Sequence, residues 1–266
     1  MQTAKFKALV TGASSGIGKS YAEKLARRGY DLVLVARDRA RLEALAAELR
    51  REAGVAVEVL PADLSRTEDV ARVESKLEND PAISMLVNNA GIATMGPQLE
   101  TPSDAIEKLV AINVTAATRL ALAAGRAFSG KKRGTIINMC SAVSVMPERF
   151  NAVYSASKAA LLALTRALAY ELSQNGVRIQ AVLPGITRTE IWERSGRDPA
   201  TLNPDNAMDT DEMVEAALAG LDQGELVTIP SLPDAADLAA YEAARKKLAP
   251  NLSWKHAAPR YGVKPA

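Results

Sequence analysis

The chain has 266 residues, of which 48% are hydrophobic, 24% charged and 4% aromatic, and its formal net charge is +2. This composition provides for a large core and excludes a disordered chain, while the low aromatic content and weak charge indicate neither a nucleic acid nor an anionic membrane as a partner. The single cysteine, Cys140, and the single histidine, His256, exclude an internal disulfide and a Cys/His zinc site, so we expect no bound metal.

The first residues pass directly into an apolar run and lack the apolar core of a signal peptide. The most helical apolar stretch, 109–127, is interrupted by Arg119 and Arg126, so we do not expect it to span a membrane. From these features we expect a soluble, cytoplasmic protein.

Short apolar runs alternate with longer segments of helical periodicity. The runs are 8–11, 32–36, 55–60, 83–87, 135–139, 177–183 and 226–229, and the helical segments are 16–28, 39–53, 67–79, 102–127 and 153–174. The runs are nearly continuously apolar, which is typical of strands buried on both faces. The alternation predicts an α/β fold in which helices cover both faces of a mostly parallel sheet. No linker divides the chain, so we expect residues 1–266 to form a single domain.

Two segments depart from this alternation. Residues 186–208 carry Gly196, Pro199 and Pro204 without a clear period, and a long irregular connection in a compact domain is usually a lid or a binding loop. We therefore predict a substrate lid at about 186–208 that becomes ordered on binding. For the C-terminal extension, about 235–266, we predict one helix followed by an arm.

Three glycines, Gly12, Gly16 and Gly18, lie between the first apolar run and the first helix. Glycines allow a tight turn and a close approach of the backbone to a diphosphate, and a helix N-terminus offers free N–H groups to the anion. Their spacing differs from the more familiar G-x-G-x-x-G pattern, and the alternative is a plain turn between a strand and a helix. We interpret the segment as a dinucleotide-binding turn.

Arg37 follows the second apolar run, at the place where dinucleotide-binding folds meet the adenosine ribose. An acid at this place binds the ribose 2′-hydroxyl, whereas an arginine suits a 2′-phosphate. The alternative is a solvated, basic start of the next helix. We favour the phosphate interpretation, which predicts NADP as the cofactor and makes NAD the weaker candidate.

Tyr154 and Lys158 are spaced to share one face of a helix. A phenol has an ordinary pKa of about 10, and a nearby cation stabilises the phenolate and lowers that value. The pair therefore suits acid–base chemistry at a carbonyl, although such a pair also occurs by chance in many helices. Ser141 follows the fifth apolar run, where ligands bind in such sheets, and its hydroxyl could donate to a substrate oxygen.

Together these residues resemble the short-chain dehydrogenase/reductase family, in its short single-domain branch. The matching positions are Thr11, Gly12, Gly16 and Gly18; Asp63 and Leu64; Asn88, Asn89, Ala90 and Gly91; Asn113; Ser141; Tyr154 and Lys158; and Pro184, Gly185 and Thr189. They follow the family's order and intervals over about residues 5–230, so coincidence is negligible. The resemblance implies a Rossmann-type, doubly wound sheet of seven strands in the order 3-2-1-4-5-6-7.

The resemblance also implies a role for each residue. Tyr154 would exchange a proton with the substrate oxygen, Lys158 would lower the tyrosine pKa and bind the nicotinamide ribose, and Ser141 would position the carbonyl. Asn113 would anchor a water-linked proton path through Lys158. The residues expected at the dinucleotide are Gly12, Ser14, Ser15, Gly16, Ile17, Gly18, Arg37, Asp63, Leu64, Asn89, Ala90, Gly91, Tyr154, Lys158, Pro184, Gly185, Thr187 and Thr189.

Two serines, Ser15 and Ser144, bear on the expected cofactor and on the choice of the catalytic serine. Many phosphate-preferring members of the family carry a basic residue where this chain has Ser15, so the expectation of NADP rests on Arg37. Ser144 lies close to Ser141 in the chain, and the interval to Tyr154 favours Ser141 as the catalytic serine.

The expected substrate pocket is apolar. Its predicted lining is Met95, Val143, Met146, Phe150 and Trp192. Such a lining suits a medium-sized, largely apolar ketone or alcohol, although several of these side chains could equally be ordinary core residues.

Three functions fit this pattern. An NADP(H)-dependent oxidoreductase acting on an alcohol/carbonyl pair is the one that the resemblance implies. A same-fold epimerase or dehydratase is disfavoured by the glycine spacing and the short chain, and a non-catalytic dinucleotide-binding regulator is disfavoured by the joint presence of Asn113, Ser141, Tyr154 and Lys158. The alanine-rich helices at 102–127 and 153–174 predict a homodimer or homotetramer, although the same faces could pack within one chain.

Overall fold

The computed structural model describes residues 6–94, 98–149, 151–196 and 198–263. Met95 and Phe150, two of the residues expected to line the pocket, lie outside the described residues. The chain forms two compact units, Met1–Ser231 and Leu232–Ala266, where the sequence predicted one domain with a C-terminal extension.

The first unit alternates strands with helices. The strands are β1 (Lys7–Thr11), β2 (Asp31–Ala36), β3 (Val57–Pro61), β4 (Ile83–Asn88), β5 (Gly134–Met139), β6 (Val177–Val182) and β7 (Val227–Thr228). Its α-helices are α1 (Gly16–Arg27), α2 (Arg39–Ala53), α3 (Thr67–Asn79), α4 (Ser103–Val110), α5 (Ala117–Gly130), α6 (Ala152–Gln174), α7 (Ile191–Arg194) and α8 (Thr210–Asp222). A π-helical segment, Ala111–Ala116, joins α4 to α5.

The strands form one seven-stranded sheet in the order β3-β2-β1-β4-β5-β6-β7, and every neighbouring pair is parallel. The predicted α/β class and strand order are therefore confirmed. The chain order reverses between β1 and β4, and in open sheets of this kind the carboxyl ends of the two strands at such a switch point flank a ligand-binding crevice. The glycine-rich turn follows β1, and the Asn88–Gly91 segment follows β4, so both lie at this crevice.

Helices cover both faces of the sheet because successive side chains of each strand point to opposite sides. In β1, Ala8 and Val10 pack into a core with α1, α2 and α8, whereas Leu9 packs into a second core with α3, α5 and α6. Strands buried on both faces read as continuous apolar runs, which is why the sequence pattern located them.

Two helical segments differ from the prediction. The segment expected at 102–127 is divided by the π-helical residues 111–116, and α8 was not predicted. A helical signal for α8 is nonetheless present in the sequence, because Met213, Val214 and Ala217 are buried on one side of the helix and Asp209 caps its N-terminus. The π segment is only six residues long and continuous with helix on both sides, so its boundaries could not be located from the apolar pattern.

The described residues of the predicted lid are already organised. Trp192 and Leu202 pack together with Ala207 in a small core, and the indole N–H of Trp192 donates to the carbonyl of Thr187 at 2.8 Å. A backbone bridge also joins Thr187 to Met208. The described residues of the loop thus have their own buried contacts and hydrogen bonds, and closure of this segment over a bound substrate stays a prediction.

The second unit contains α9 (Ala235–Lys247), as predicted, followed by short turns. No residue of α9 is buried, and large apolar side chains of this unit such as Trp254, at 72%, are exposed. Among the described residues of both units, none of the helices combines the length and apolarity needed to cross a bilayer.

Candidate active site

The glycine-rich turn is closely packed against the segment that follows β4. Gly12 has a φ of +67°, and a Cβ there would lie 2.8 Å from the side-chain nitrogen of Asn89. A Cβ on Gly18 would lie 2.6 Å from the same nitrogen and would also overlap the carbonyl oxygen of Gly12. The glycines therefore permit contacts that any larger residue would prevent, as a dinucleotide-binding turn requires.

Polar contacts fix the same two segments to each other. The Thr11 hydroxyl accepts hydrogen bonds from the backbone N–H groups of Asn89, at 2.9 Å, and Ala90, at 3.0 Å. The side-chain amide of Asn89 donates to the carbonyl of Thr11 at 2.9 Å. The two strand ends that border the crevice are thus held in one arrangement.

The start of α1 fits a diphosphate. Ser15, its N-cap residue, makes no side-chain hydrogen bond to the first turn, and that turn has no acidic residue. Its N–H groups and partial positive charge therefore suit an anion. Thr189, from the segment after β6, lies directly over this turn, since a Cβ on Gly16 would lie 3.3 Å from the Thr189 Cβ. The residues present fit a dinucleotide with its diphosphate between these segments.

Arg37 is exposed just beyond β2 and makes no hydrogen bond or ion pair within the part of the chain that the structure describes. Its charge acts on Asp63, which follows β3. Burial by itself raises the pKa of the Asp63 carboxyl, but hydrogen bonds from Ser65 and the charges of Arg37 and Lys108 outweigh burial, so the net pKa is lowered. Asp63 is thus an anion beside the cation expected to bind a 2′-phosphate. Leu64, next to it, is buried.

A neighbouring arginine has a different environment, which the sequence did not predict. Arg41, in the first turn of α2, donates from Nη1 to Oε2 of Glu190 at 2.8 Å. Glu190 comes directly after Thr189, and no local sequence pattern could indicate a contact between residues so far apart in the chain.

The residues expected to be catalytic converge at the carboxyl ends of β4 and β5. Ser141 is the hydrogen-bonding side chain that acts on the pKa of Tyr154, in the lowering direction, and its Oγ donates to the carbonyl of Pro184 at 3.5 Å. Ser144, the second serine near this place, has a buried hydroxyl oxygen with no hydrogen-bond partner among the described residues. Ser141, and not Ser144, is therefore the serine that acts on the phenol.

Lys158 and Asn113 meet at Gly91. The Lys158 Nζ donates to the carbonyl of Met139 at 2.7 Å. A Cβ on Gly91 would lie 3.3 Å from both the Lys158 Nζ and the Asn113 Oδ1, so the two side chains come together closely over this glycine. The side chain of Asn113 accepts from the N–H of Ile92 and donates to its carbonyl, both at 2.9 Å. Asn113 lies in the π-helical segment, a feature that often occurs at functional sites.

Burial dominates the acid–base properties of the site. It raises the pKa of Tyr154 to about 12, while the hydrogen bond from Ser141 acts in the lowering direction. Burial also lowers the pKa of Lys158 to about 8. The expectation of a net lowering of the tyrosine pKa by Lys158 is thus wrong for this structure, because loss of hydration is the largest influence on the phenol.

The helix that carries the tyrosine has a cap that the sequence analysis missed. Asn151 accepts at Oδ1 from the backbone N–H of Tyr154, at 3.0 Å, and its Nδ2 donates to the carbonyl of Thr94 at 2.6 Å. An asparagine immediately before a helical run is a recognisable N-cap signal. Asn151 therefore fixes the start of α6, and with it the tyrosine, to the segment after β4.

The remaining predicted residues lie around this centre. Pro184 follows β6, and its carbonyl accepts from the N–H of Ala142, at 2.9 Å, while the Thr187 hydroxyl donates to the carbonyl of Gly185 at 3.3 Å. Val143 is partly buried and Met146 is 50% exposed, which leaves both available to a substrate. Trp192 is 8% exposed and belongs to the core of the loop, so its buried indole stabilises that loop rather than offering an open pocket wall.

Comparison with known proteins identifies the family. The family model described as short chain dehydrogenase matches residues 7–200. The chain therefore belongs to the short-chain dehydrogenase/reductase family, as the sequence motifs predicted. An uncharacterised oxidoreductase from Staphylococcus saprophyticus is 33% identical over 223 residues, which cover 84% of this chain and 93% of that protein. The very-long-chain 3-oxoacyl-CoA reductase of Anas platyrhynchos is 33% identical over 69% of this chain, and the alignment spans 60% of the relative's length.

Two solved structures are similar over nearly the whole chain. A short-chain dehydrogenase from Sphingobium yanoikuyae in complex with NADPH is 50% identical, with a TM-score of 0.92 and coverage of 95% of this chain and 98% of that one. A bulky-bulky ketone specific alcohol dehydrogenase from Comamonas testosteroni is 43% identical, with a TM-score of 0.90 and coverage of 97% and 99%.

Proposed function

We propose that the protein is an NADP(H)-dependent oxidoreductase that interconverts an alcohol and a ketone, with Tyr154 as the acid–base. The observation that carries this proposal is the convergence of the Tyr154 hydroxyl, Ser141, Lys158 and Asn113 at the strand ends next to the glycine-rich turn. A structural role alone does not require a buried ammonium beside a phenol, since burying a charge is costly.

The residues divide the proton chemistry between them. A bound nicotinamide supplies or accepts the hydride at the carbon of the substrate. In reduction, Tyr154 donates its proton to the carbonyl oxygen while Ser141 donates a hydrogen bond to the same oxygen; in oxidation, the proton returns to Tyr154. The raised pKa keeps the phenol protonated at neutral pH, which suits the donor role. The charge of Lys158 stabilises the phenolate that forms when the proton leaves.

Asn113 is a positioning residue in this proposal. Its side chain is committed to both backbone groups of Ile92 and donates to the Ser157 hydroxyl at 3.1 Å. The asparagine thereby fixes the wall next to the Lys158 ammonium, where a water-linked path can replace the proton that Tyr154 gives up.

The choice of NADP over NAD rests on Arg37. The guanidinium follows β2, is exposed and has no partner within the described residues, so it can donate two hydrogen bonds to a 2′-phosphate. The NADPH complex of the similar Sphingobium enzyme supports this assignment.

We propose a medium-sized, largely apolar ketone or alcohol as the substrate. Val143 and Met146 border the catalytic residues and are accessible. The bulky ketone specificity of the similar Comamonas enzyme supports the same substrate class.

We also propose a homodimer or homotetramer. Most alanines of α5 are buried within the protomer, so that helix packs mainly inward. In contrast, α6 exposes a row of small side chains: Ala156, Ala160, Ala163 and Ala167. Small side chains allow close helix packing, and sedimentation velocity of the full chain would give the state directly.

A panel of ketones, each incubated with NADPH or NADH and followed at the nicotinamide absorbance, tests the proposed function. We expect turnover of bulky apolar ketones with NADPH. Binding of dinucleotide without turnover of any ketone or alcohol would favour a regulator, and product formation without net oxidation of the cofactor would favour an epimerase or dehydratase.

A further inference from the structure

Glu190 connects two arginines on different elements. Its Oε2 accepts from the Arg41 Nη1, at 2.8 Å, and from the Arg194 Nη2, at 2.5 Å. The side chains of Glu190 and Arg41 are 42% and 50% exposed, so the pair is hydrated and can rearrange. The hydrogen bond to Glu190 raises the pKa of Arg41, and the hydrogen bond from Arg41 lowers the pKa of Glu190, so both groups stay ionised.

The position of Glu190 places its charge beside the cofactor. The preceding residue, Thr189, lies against Gly16 of the proposed diphosphate turn. Arg41 belongs to the first turn of α2, where its N–H donates to the capping carboxylate of Asp38 at 3.0 Å. Arg37 immediately precedes the cap residue Asp38 and Arg41 follows it by three residues, so both arginines belong to the N-terminal end of α2, next to the end of β2.

The two arginines differ in what they can offer to an anion. Arg37 makes no ion pair within the part of the chain described, whereas Arg41 pairs with Glu190 at 2.8 Å and, less closely, with Asp38 at 3.5 Å. A phosphate dianion would attract both guanidinium groups, but the carboxylate would compete with it for Arg41. With NADH, which lacks the 2′-phosphate, the same competition would have no effect.

We propose that Glu190 is a specificity-determining residue that competes with the 2′-phosphate of NADPH for the guanidinium of Arg41. This inference rests on the proposed function, in which Arg37 binds that phosphate. Glu190 thereby limits the preference for NADPH over NADH. The family motif that includes Thr189 does not extend to Glu190. The residue acts through Arg41 and does not contact the reacting atoms.

The experiment compares Glu190→Gln with a matched control, Glu193→Gln, in the full-length protein. Glu193 lies in α7, the short helix that Glu190 precedes, is exposed and makes no ion pair among the described residues, so its substitution changes the charge equally. Dissociation constants for NADPH and NADH are measured by nicotinamide fluorescence, together with thermal melts. We expect Glu190→Gln to bind NADPH about threefold to fivefold more tightly, as suits an exposed ion pair, with NADH changed by less than about twofold.

A double-mutant cycle tests the dependence on Arg41. In an Arg41→Gln background, Glu190→Gln should change the affinity for NADPH by less than about twofold, because the group being competed for is absent. Three outcomes would each overturn the inference. Glu193→Gln could raise the affinity for NADPH as much as Glu190→Gln does, or Glu190→Gln could raise the affinities for NADPH and NADH equally. The third outcome is that Glu190→Gln raises the affinity for NADPH by the same factor in the Arg41→Gln background. If the wild-type protein binds neither cofactor, or prefers NADH, the proposed function fails and the inference fails with it. If the wild type prefers NADPH and Glu190→Gln leaves that preference unchanged, only the inference fails.

Discussion

The ammonium nitrogen of Lys158 lies 5.7 Å from the centroid of the Tyr154 ring, one turn further along the same helix. The ammonium donates to the carbonyl of Met139 and lies over the face of the ring, within the range of a cation–π contact. The tyrosine is therefore a partly buried acid whose raised pKa keeps it protonated at neutral pH, beside a cation that can stabilise its conjugate base.

Replacement of Tyr154 by Phe should remove the proton donor and retain the ring. We expect kcat for ketone reduction to fall by about a thousandfold, because a positioned general acid contributes on the order of a hundredfold to ten-thousandfold. The affinity for NADPH should change by less than about twofold, as measured by fluorescence titration.

Tyr170→Phe provides the matched control, since Tyr170 is on the same helix and 77% exposed. It should leave kcat unchanged. A Tyr154→Phe enzyme that keeps its kcat and loses cofactor binding would contradict the acid–base assignment.

Replacement of Arg37 by Ala should weaken NADPH binding by about tenfold or more and leave NADH binding within about twofold, because the proposed partner of the lost donor is the 2′-phosphate, which NADH lacks. Titrations with both cofactors at low ionic strength would measure the difference, which should shrink as salt increases. Arg51→Ala, at the other end of α2, is the control for loss of a surface charge. Equal weakening of both cofactors by Arg37→Ala would exclude the phosphate contact.

The sequence alone predicts the sheet and most of the residues that we propose as catalytic, because both predictions depend on local patterns. Buried parallel strands are continuous apolar runs, and the Tyr154/Lys158 spacing marks one helical face. The glycines of the turn are likewise visible as a motif, and the structure adds what each one touches.

Other features depend on contacts between distant segments or on burial. The Arg41–Glu190 pair joins α2 to the loop after β6, and no local pattern connects the two. The sign of the Tyr154 pKa shift depends on how much water the fold removes from the phenol, which residue spacing does not reveal. The small core around Trp192 also depends on how an irregular loop folds back on itself.

Replacement of Gly18 by Ala should destabilise the protein even though alanine is the better helix former. The new methyl group would overlap the carbonyl oxygen of Gly12 and lie 2.6 Å from the Asn89 amide, both of which are fixed by neighbouring contacts. We expect a loss of about 1–3 kcal/mol in the free energy of unfolding, measured by urea denaturation, and weaker dinucleotide binding.

Gly130→Ala is the matched substitution, because it also lies in a helix and a Cβ there meets nothing within 4 Å. The free energy of unfolding of this variant should be unchanged or higher by up to about 1 kcal/mol. If both variants behave alike, the close packing of the turn has no energetic consequence.

Replacement of Lys158 by Met should change how stability depends on pH. Lys158 is 4% exposed, and its pKa is lowered from the ordinary value of 10.5 to about 8. Between these values the unfolded chain binds the proton that the folded protein has released, so the free energy of unfolding of the wild type rises with pH. The burial cost of the ammonium is present in full at about pH 7 and is relieved as the pH passes 8. From about pH 7 to about pH 9.5, the wild type should gain on the order of 2 kcal/mol in the free energy of unfolding relative to Lys158→Met, as measured by urea denaturation at each pH.

Tyr154, with its pKa raised to about 12 from the ordinary 10.0, contributes only above this window. Lys19→Met, at a side chain that is 44% exposed, controls for loss of a lysine. A stability difference between the wild type and Lys158→Met that does not vary with pH would mean that the buried ammonium keeps its proton throughout, which contradicts a lowered pKa at this site.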